Sequence, residues 1–201
     1  MMSKTIPGQP NKQFLLLMIF LLFSGIINLS PAQINSSGAV SISLEGSSNY
    51  HDWDLSSDKG QCNATYTIDS SGNLTTLQKL VFNIKVETLK SGKPSMDKNT
   101  YRTFDIDKYP NISFVSSSAT IRHQGGNDYI ITCEGRLTIS SVTQNITLVA
   151  NTSLTIDKSL KGTGEYHLKM TDYGLTPPSI LFGTIKTGND VTVKFDFLLK
   201  S

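Results

Sequence analysis

The chain has 201 residues and is nearly neutral, with 18 lysines and arginines against 16 acidic residues. Two of the cations, Lys4 and Lys12, lie in the first 32 residues, so the remaining 169 residues carry no net charge when histidines are neutral. The absence of a basic tract excludes an ordinary nucleic-acid-binding surface, and the length suits one domain with its own core.

The first predicted element is a targeting segment. The two lysines precede an apolar run, Phe14–Phe23, which is followed by Ser30-Pro31-Ala32. A basic region, a short apolar region and small residues before a cleavage point are typical of a secretory signal. We predict a signal peptide over residues 1–32 and a single domain over residues 33–201, located in the periplasm or outside the cell. An uncleaved membrane anchor is the alternative, because the apolar stretch extends to Leu29.

From Gly38 onward the pattern is β almost throughout. Apolar and polar residues alternate in short segments, and a period of two is typical of strands with one face in a core and the other in water. Glycine, asparagine and aspartate separate these segments, as at Gly125–Asp128. Many short strands with such turns between them favour an antiparallel sandwich or barrel.

Two segments interrupt this pattern. The polar residues after Trp53 predict a turn that ends at Gly60. Further on, Ser91–Ser95 predicts a second turn, in which Ser95 is a suitable N-cap for a short helix over about residues 95–105. A single helix among strands is suited to close one end of a barrel. The apolar side of this helix is formed by Met96, Thr100, Tyr101 and Phe104.

The C-terminal part predicts two strands joined by an apolar loop. Tyr166, Leu168 and Met170 alternate with polar residues, and Val191–Leu199 alternates with the same period. The loop Tyr173–Phe182 is too apolar for a solvated turn, and its glycine and prolines prevent it from continuing the sheet. It is therefore expected to form the lip of a cavity, or a cover over a solid core.

Two cysteines, Cys62 and Cys133, fall at the apolar positions of their predicted strands. An oxidising compartment permits a disulfide between them. Two buried free thiols fit the same positions. The sequence does not give the Cα separation that a bridge requires, so both alternatives stay open.

Four motifs resemble the YceI-like family of exported bacterial proteins. The similarity covers nearly all of residues 38–199, and the order and spacing of the motifs make it specific. Ser140-Ser141 stands where the family's turn has a glycine, so that turn is expected to differ in shape. The motifs are Gly46-Ser47-Ser48 with His51-Asp52-Trp53, Met96-Asp97 with Lys108-Tyr109-Pro110-Asn111-Ile112-Ser113-Phe114, Gly135–Ile139 with Val142–Leu148, and Asp172–Pro178 with Phe182–Gly188.

The resemblance implies an all-β fold, an eight-stranded antiparallel lipocalin-like up-and-down barrel with one short helix. It implies an exported binding protein whose hydrophobic cavity holds a polyisoprenoid lipid, of the isoprenoid quinone or polyprenol type, for storage or transport. No cofactor other than such a lipid is expected, membrane contact would be transient if it occurs, and a monomer and a homodimer are both open. The residues expected to line the cavity are Phe82, Ile84, Met96, Phe104, Phe114, Leu168, Met170, Tyr173, Leu175, Phe182, Phe195 and Phe197.

The residues by themselves favour a different interior. Apolar stripes usually pack on each other and form a dry core, so the alternative function is an exported interaction or stress-protective module with a filled barrel. Catalysis is not expected. No histidine has metal-ligand spacing to another histidine or cysteine, and no Gly-x-Ser-x-Gly elbow occurs. Adjacent residues such as His51 and Asp52 point to opposite faces of a strand.

Overall fold

The computed structural model describes residues 30–180 and 182–201. The predicted signal peptide therefore lies almost entirely outside the described residues. Residues Pro31–Ser201 form one compact unit. A search of the described ranges finds no helix with the length and apolar character that crossing a bilayer requires.

Eight long antiparallel strands form a closed barrel. Each strand pairs with the next along the chain, and the last pairs with the first, for example at Val40 and Phe197. The predicted lipocalin-like barrel with one short helix is thus confirmed. The strands are β1 (Ala32–Ser48), β2 (Trp53–Ile68), β3 (Leu74–Lys85), β4 (Asn111–Gly125), β5 (Asp128–Ile139), β6 (Val142–Leu154), β7 (Leu160–Lys169) and β9 (Ile185–Lys200), and the two-residue β8 (Ser179–Ile180) pairs with β9 alone.

The barrel has an apolar inner face because its strands alternate. In β5, Ile131, Cys133 and Leu137 are buried, whereas Glu134 and Arg136 between them face solvent. The same alternation runs along the other long strands and produces one continuous core cluster. Burial of such apolar faces supplies most of the favourable free energy of a fold of this kind.

The predicted polar turn ending at Gly60 is wrong, because β2 already begins at Trp53. Leu55 and Ser57 are buried and the residues beside them are exposed, so the segment alternates like a strand. The pairing with β1 shifts between Val40 and Ile42, which marks a β-bulge. Serine and aspartate on the outer face concealed the alternation from sequence inspection.

The helix α1 (Pro94–Phe104) lies close to its predicted position, but the predicted N-cap Ser95 is wrong. Lys93 is the N-cap and makes no side-chain capping bond. Pro94 occupies the first turn, where the missing N–H is not needed. The carboxylate of Asp97 instead accepts hydrogen bonds from the N–H of Ser91 at 2.8 Å and from its hydroxyl at 2.6 Å, which fixes the preceding turn.

The two ends of the barrel differ. One end carries the short loops 69–73, 126–127 and 155–159, and beneath them lies a layer of buried side chains that we call the floor. Two tyrosines of the floor are fixed by hydrogen bonds: the Tyr66 hydroxyl donates to the Lys158 carbonyl, and the Tyr129 hydroxyl accepts from the Leu74 N–H. The other end carries α1, the 3₁₀ turn Met170–Tyr173 and β8. The floor consists of Tyr66, Ile68, Leu74, Tyr129 and Leu154.

Two neighbouring strand pairs are joined over only part of their length. Residues 81–85 of β3 pair with residues 111–115 of β4. Residues 150–154 of β6 pair with residues 160–164 of β7, next to the floor. Towards the other end β6 and β7 separate, and the 3₁₀ turn lies against β6, where the Gln144 amide donates to the Asp172 carbonyl at 3.0 Å.

Candidate functional site

The barrel encloses an elongated cavity of about 430 Å³. Such a volume lies within the range of about 300–1,000 Å³ found for ligand pockets. The cavity opens at the mouth, between the β1–β2 turn, the start of α1 and the β8–β9 turn, where Tyr50, Lys93 and Ile180 line it. Its deepest lining residues include Leu77 and Leu160, next to the floor.

The cavity is long compared with its width. Along β2 its lining runs from Trp53 at the mouth to Cys62. Nine residue steps at about 3.3 Å, in a strand tilted by about 40°, correspond to a depth on the order of 20 Å. Such a shape suits an extended chain better than a compact ligand.

The lining is almost wholly apolar. Among the described residues that line the cavity, Lys93, at the mouth, is the only lysine or arginine, and none is an aspartate or a glutamate. Deeper in the cavity, the Thr152 hydroxyl already donates to the Tyr129 carbonyl at 3.1 Å. Water inside an apolar cavity needs two to four polar partners, and this interior offers few. The chemistry of the cavity therefore favours an apolar occupant.

Aromatic rings lie in close contact with glycines of the wall. Gly164 and Gly162 pair across β7 and β9 with Phe195 and Phe197. A Cβ at Gly164 would lie 2.4 Å from the Phe195 ring, so only glycine permits this approach. Three further rings lie against glycines in the same way: Trp53 on Gly46, Phe82 on Gly60 and Phe114 on Gly135.

One polar group beside the cavity has no partner. The Tyr173 side chain is 2% exposed, and its hydroxyl makes no hydrogen bond to any of the described residues. Burial and the nearby Tyr166 hydroxyl raise the pKa of Tyr173 above its ordinary value, so the phenol stays protonated. An unmade hydrogen bond of this kind costs about 1–3 kcal/mol.

Solved structures with the same architecture come from several bacteria. The Burkholderia cenocepacia protein BcnA matches with a TM-score of 0.62 at 18% identity, over 79% of this chain and 95% of its own. A polyisoprenoid-binding domain from Saccharophagus degradans, implicated in plant cell wall breakdown, matches with a TM-score of 0.62 at 14% identity, over 85% and 99%. The Campylobacter jejuni YceI protein matches with a TM-score of 0.52 at 17% identity, over 71% and 84%. At these identities the likeness establishes the fold alone.

A sequence model of the YceI-like domain matches residues 48–199. The chain belongs to the YceI-like family. No curated protein sequence matches it. The family match covers every strand from β2 to β9 and the helix, so the whole cavity lies on YceI-like elements, apart from the contribution of β1.

Ten of the twelve residues predicted to line the YceI-like cavity do line it. The other two lie elsewhere. Tyr173 is buried beside the cavity, and Phe182 is fully exposed at the tip of the β8–β9 turn. The prediction for Phe182 is wrong because its backbone adopts a left-handed conformation, with φ 56°, that directs the ring away from the barrel. The ten lining residues are Phe82, Ile84, Met96, Phe104, Phe114, Leu168, Met170, Leu175, Phe195 and Phe197.

Both cysteines are free, buried and part of the cavity lining. Cys62 is on β2 and Cys133 is on β5, so two strands lie between them. Neither is the cross-strand partner of the other: Cys62 pairs with Phe82, and Cys133 pairs with Ala119 and Leu148. Of the two alternatives that the sequence left open, the structure contains the two buried thiols.

Sequence inspection missed the contribution of β1 and of the glycines. Val40, Ile42 and Leu44 line the cavity, and their period-two alternation could have identified them. The glycines opposite the aromatic rings carried no such signal, because a glycine in a strand is usually interpreted as a bulge or a weak point. Only the pairing register reveals their role.

The described residues give no support for catalysis at this site. The Nδ1 of His51 contacts the Asp52 backbone carbonyl at 2.7 Å, not the Asp52 carboxylate, so the two side chains do not form an oriented base. No group of three or more histidine, cysteine or acidic residues within the described ranges is arranged to hold a metal ion. The site has the architecture of a barrel binding protein.

Proposed function

We propose that the protein binds a polyisoprenoid lipid, such as an isoprenoid quinone or a polyprenol, in the barrel cavity and stores or carries it. One observation carries the proposal: a deep, narrow cavity whose described lining residues include no carboxylate and one lysine, Lys93 at the mouth. The Saccharophagus degradans domain with the same fold is described as polyisoprenoid-binding, which supports this ligand class.

The energetics of burial favour such a ligand. Each buried methylene-sized group contributes roughly 0.8 kcal/mol, so several branched units offset the entropy lost when a flexible chain is ordered. No directional contacts are needed along the chain. A filled barrel would be required for the alternative of an interaction module without a lipid, and the cavity of about 430 Å³ gives no support for it.

The direct test is organic extraction of natively purified protein followed by lipid mass spectrometry. We expect a polyisoprenoid lipid in stoichiometric amount, and we expect delipidated protein to take it up again with a rise in Tm. Trp53 is the only tryptophan and lies at the cavity mouth, so its fluorescence provides a second readout of uptake. Absence of lipid from the native protein together with failure of reconstitution would refute the proposal.

A pair of neighbouring substitutions separates cavity binding from surface effects. Ala150 lines the cavity, whereas Val149 beside it faces outward and is 46% exposed. Ala150→Phe fills the cavity and is expected to weaken lipid uptake by at least about tenfold, since several buried apolar groups of the ligand lose their place. Val149→Phe adds the same ring outside and should leave uptake unchanged. Equal effects of the two substitutions would contradict a ligand site inside the barrel.

We also propose that the protein is exported to the periplasm or the outside of the cell, that the N-terminal segment is removed after Ala32, and that it acts by binding and not by catalysis. The composition of residues 1–32 supports export. Intact-mass measurement of protein recovered from cell fractions tests it. A full-length mass in the cytoplasmic fraction would contradict the proposal.

A further inference from the structure

The mouth of the barrel carries exposed apolar side chains that packing does not explain. Tyr50 is 74% exposed, Ile180 is 43% exposed and Phe182 is fully exposed. Together we call them the mouth patch. Elsewhere in the described residues the large exposed apolar side chains are scattered: Val115, Val149 and Leu198 on the outside of the wall, and Ile156 at the floor end. Single exposed apolar residues are ordinary, but a group of three at the opening of an apolar cavity indicates an interaction site.

The backbone around the mouth patch is held in place by specific bonds. Asn49 donates from its backbone N–H to the Lys186 carbonyl at 3.1 Å and from its side chain to the Thr184 carbonyl at 2.9 Å. In return, the Lys186 N–H donates to the Asn49 side chain at 2.8 Å. These bonds join the β1–β2 turn, which carries Tyr50, to the β8–β9 turn, which carries Phe182.

Phe182 is directed outward by its own backbone. A left-handed conformation is uncommon for a bulky residue, yet Phe182 adopts φ 56° and Gly183 follows with φ 87°. The turn is closed by a hydrogen bond from the Gly183 N–H to the Ile180 carbonyl at 3.2 Å. The Phe182 side chain is fully exposed to solvent at this turn.

Two lysines and one aspartate, Asp52 in the β1–β2 turn, lie beside the mouth patch. Lys93 lines the opening, and Lys186 is exposed on β9 directly after the β8–β9 turn. Neither forms an ion pair with any of the described acidic residues. The acidic residue nearest in sequence to Lys93, Asp97, is directed instead towards Ser91. Two unpaired lysines beside exposed aromatic and aliphatic groups are complementary to a bilayer surface with anionic head groups.

We propose that the mouth patch, with Lys93 and Lys186, docks the barrel mouth-first onto an anionic phospholipid bilayer. Tyr50, Ile180 and Phe182 enter the interfacial layer, and the two lysines contact lipid phosphates. In that orientation the cavity opens directly onto the hydrocarbon region, so an apolar chain passes between bilayer and cavity without crossing water. This inference rests on the proposed lipid-binding function for its purpose, but docking is measurable on empty protein.

The test is co-sedimentation of residues 31–201, the compact unit that contains the barrel, with phosphatidylcholine vesicles with and without phosphatidylglycerol. We expect binding that requires phosphatidylglycerol and weakens with added salt. The combined substitution Tyr50→Ser, Ile180→Ser and Phe182→Ser should weaken binding by at least about tenfold, and Lys93→Glu with Lys186→Glu by about fivefold or more per lysine.

Matched controls are available at the floor end. Ile156 is fully exposed there, and Lys158 and Lys161 lie near it. Ile156→Ser, and Lys158→Glu with Lys161→Glu, should leave vesicle binding unchanged. Docking is refuted if the unmodified protein does not bind these vesicles, or if the floor-end variants lose binding as much as the mouth variants do. A mouth-dependent dimer in analytical ultracentrifugation, with no vesicle binding, would likewise overturn it and assign the patch to a second copy of the chain.

The docking proposal and the lipid-binding proposal can be contradicted independently of each other. Native protein that contains a polyisoprenoid lipid but does not bind vesicles removes the docking proposal and leaves the ligand proposal standing. Vesicle binding by a protein that never contains lipid removes the ligand proposal.

Discussion

At the scale of single residues, the reactivity of the Cys62 and Cys133 thiols reports on how well the cavity excludes water. Burial raises the pKa of Cys62 to about 12, with a further contribution from nearby Cys133, and burial raises the pKa of Cys133 to about 11. The thiolate is the reactive form of cysteine. At neutral pH both side chains are therefore protonated and behave as small apolar groups of the lining.

We expect both thiols of the folded, empty protein to react with iodoacetamide at pH 8 at least about a hundredfold more slowly than free cysteine, whose pKa is about 8.5. The rate should continue to rise up to about pH 11, because the folded-state pKa values are raised. Bound lipid should slow the reaction further. Mass spectrometry of alkylated peptides measures this, with Ser117→Cys, on the exposed outer face, as a control insensitive to lipid. A rate that levels off near pH 8.5 would mean that the thiols are solvated.

At the scale of elements, the β5–β6 hairpin is joined to the helix by one side chain, that of Ser140. Ser140 occupies the turn with φ 49°, a left-handed conformation that glycine adopts without strain. Its hydroxyl donates to the carbonyl of Phe104 at 2.9 Å, and Phe104 is the last residue of α1. The serine thus connects the hairpin to the helix at the open end, which a glycine cannot do.

Two substitutions at Ser140 separate the hydrogen bond from the backbone strain. Ser140→Ala removes the bond and keeps the strain, so we expect a loss of about 1 kcal/mol in the free energy of unfolding. Ser140→Gly removes the bond but relieves the strain, so its stability should exceed that of Ser140→Ala by several tenths of a kcal/mol or more. Urea denaturation measures both. If Ser140→Ala is as stable as the unmodified protein, the connection to α1 contributes nothing.

The elements also show how far the sequence alone predicts this molecule. Alternation identified the inner faces of β5, β7 and β9, and the family resemblance added barrel closure and the cavity. The polar outer face of β2 concealed a strand, because composition there resembles a turn. The outward direction of Phe182 depends on one backbone dihedral, which composition does not encode. The glycines opposite the aromatic rings depend on pairing register between distant segments, which a single sequence does not display.

At the scale of the whole molecule, the barrel wall is unevenly hydrogen-bonded. β6 pairs with β5 along its whole length, from Val142 to Ser153. It pairs with β7 only from Ala150 to Leu154. The half of this seam near the mouth is covered by the 3₁₀ turn and not by a strand ladder, so its opening requires fewer broken backbone bonds.

Hydrogen exchange followed by NMR should reveal this seam. Among residues 142–149, we expect amides that point towards β7 to exchange faster than amides of the same strand that are bonded to β5. Amides of residues 150–154 should be protected on both sides. Amide exchange requires that a backbone hydrogen bond opens. On the side facing β7, residues 142–149 have no backbone partner in that strand within the described residues. Uniform protection along β6 would contradict this description.

The floor and the ring–glycine pairs limit two different dimensions of an occupant. The width of the cavity is set by the aromatic rings that contact Gly46, Gly60, Gly135, Gly162 and Gly164. Its depth is set by Tyr66 and Tyr129. A ligand chain wider than the cavity would clash with side chains along the whole wall. A ligand chain longer than the cavity would still bind, because its surplus length would emerge at the mouth. The floor therefore sets only the length of chain that is buried, and a smaller side chain at either tyrosine would deepen the cavity without widening it.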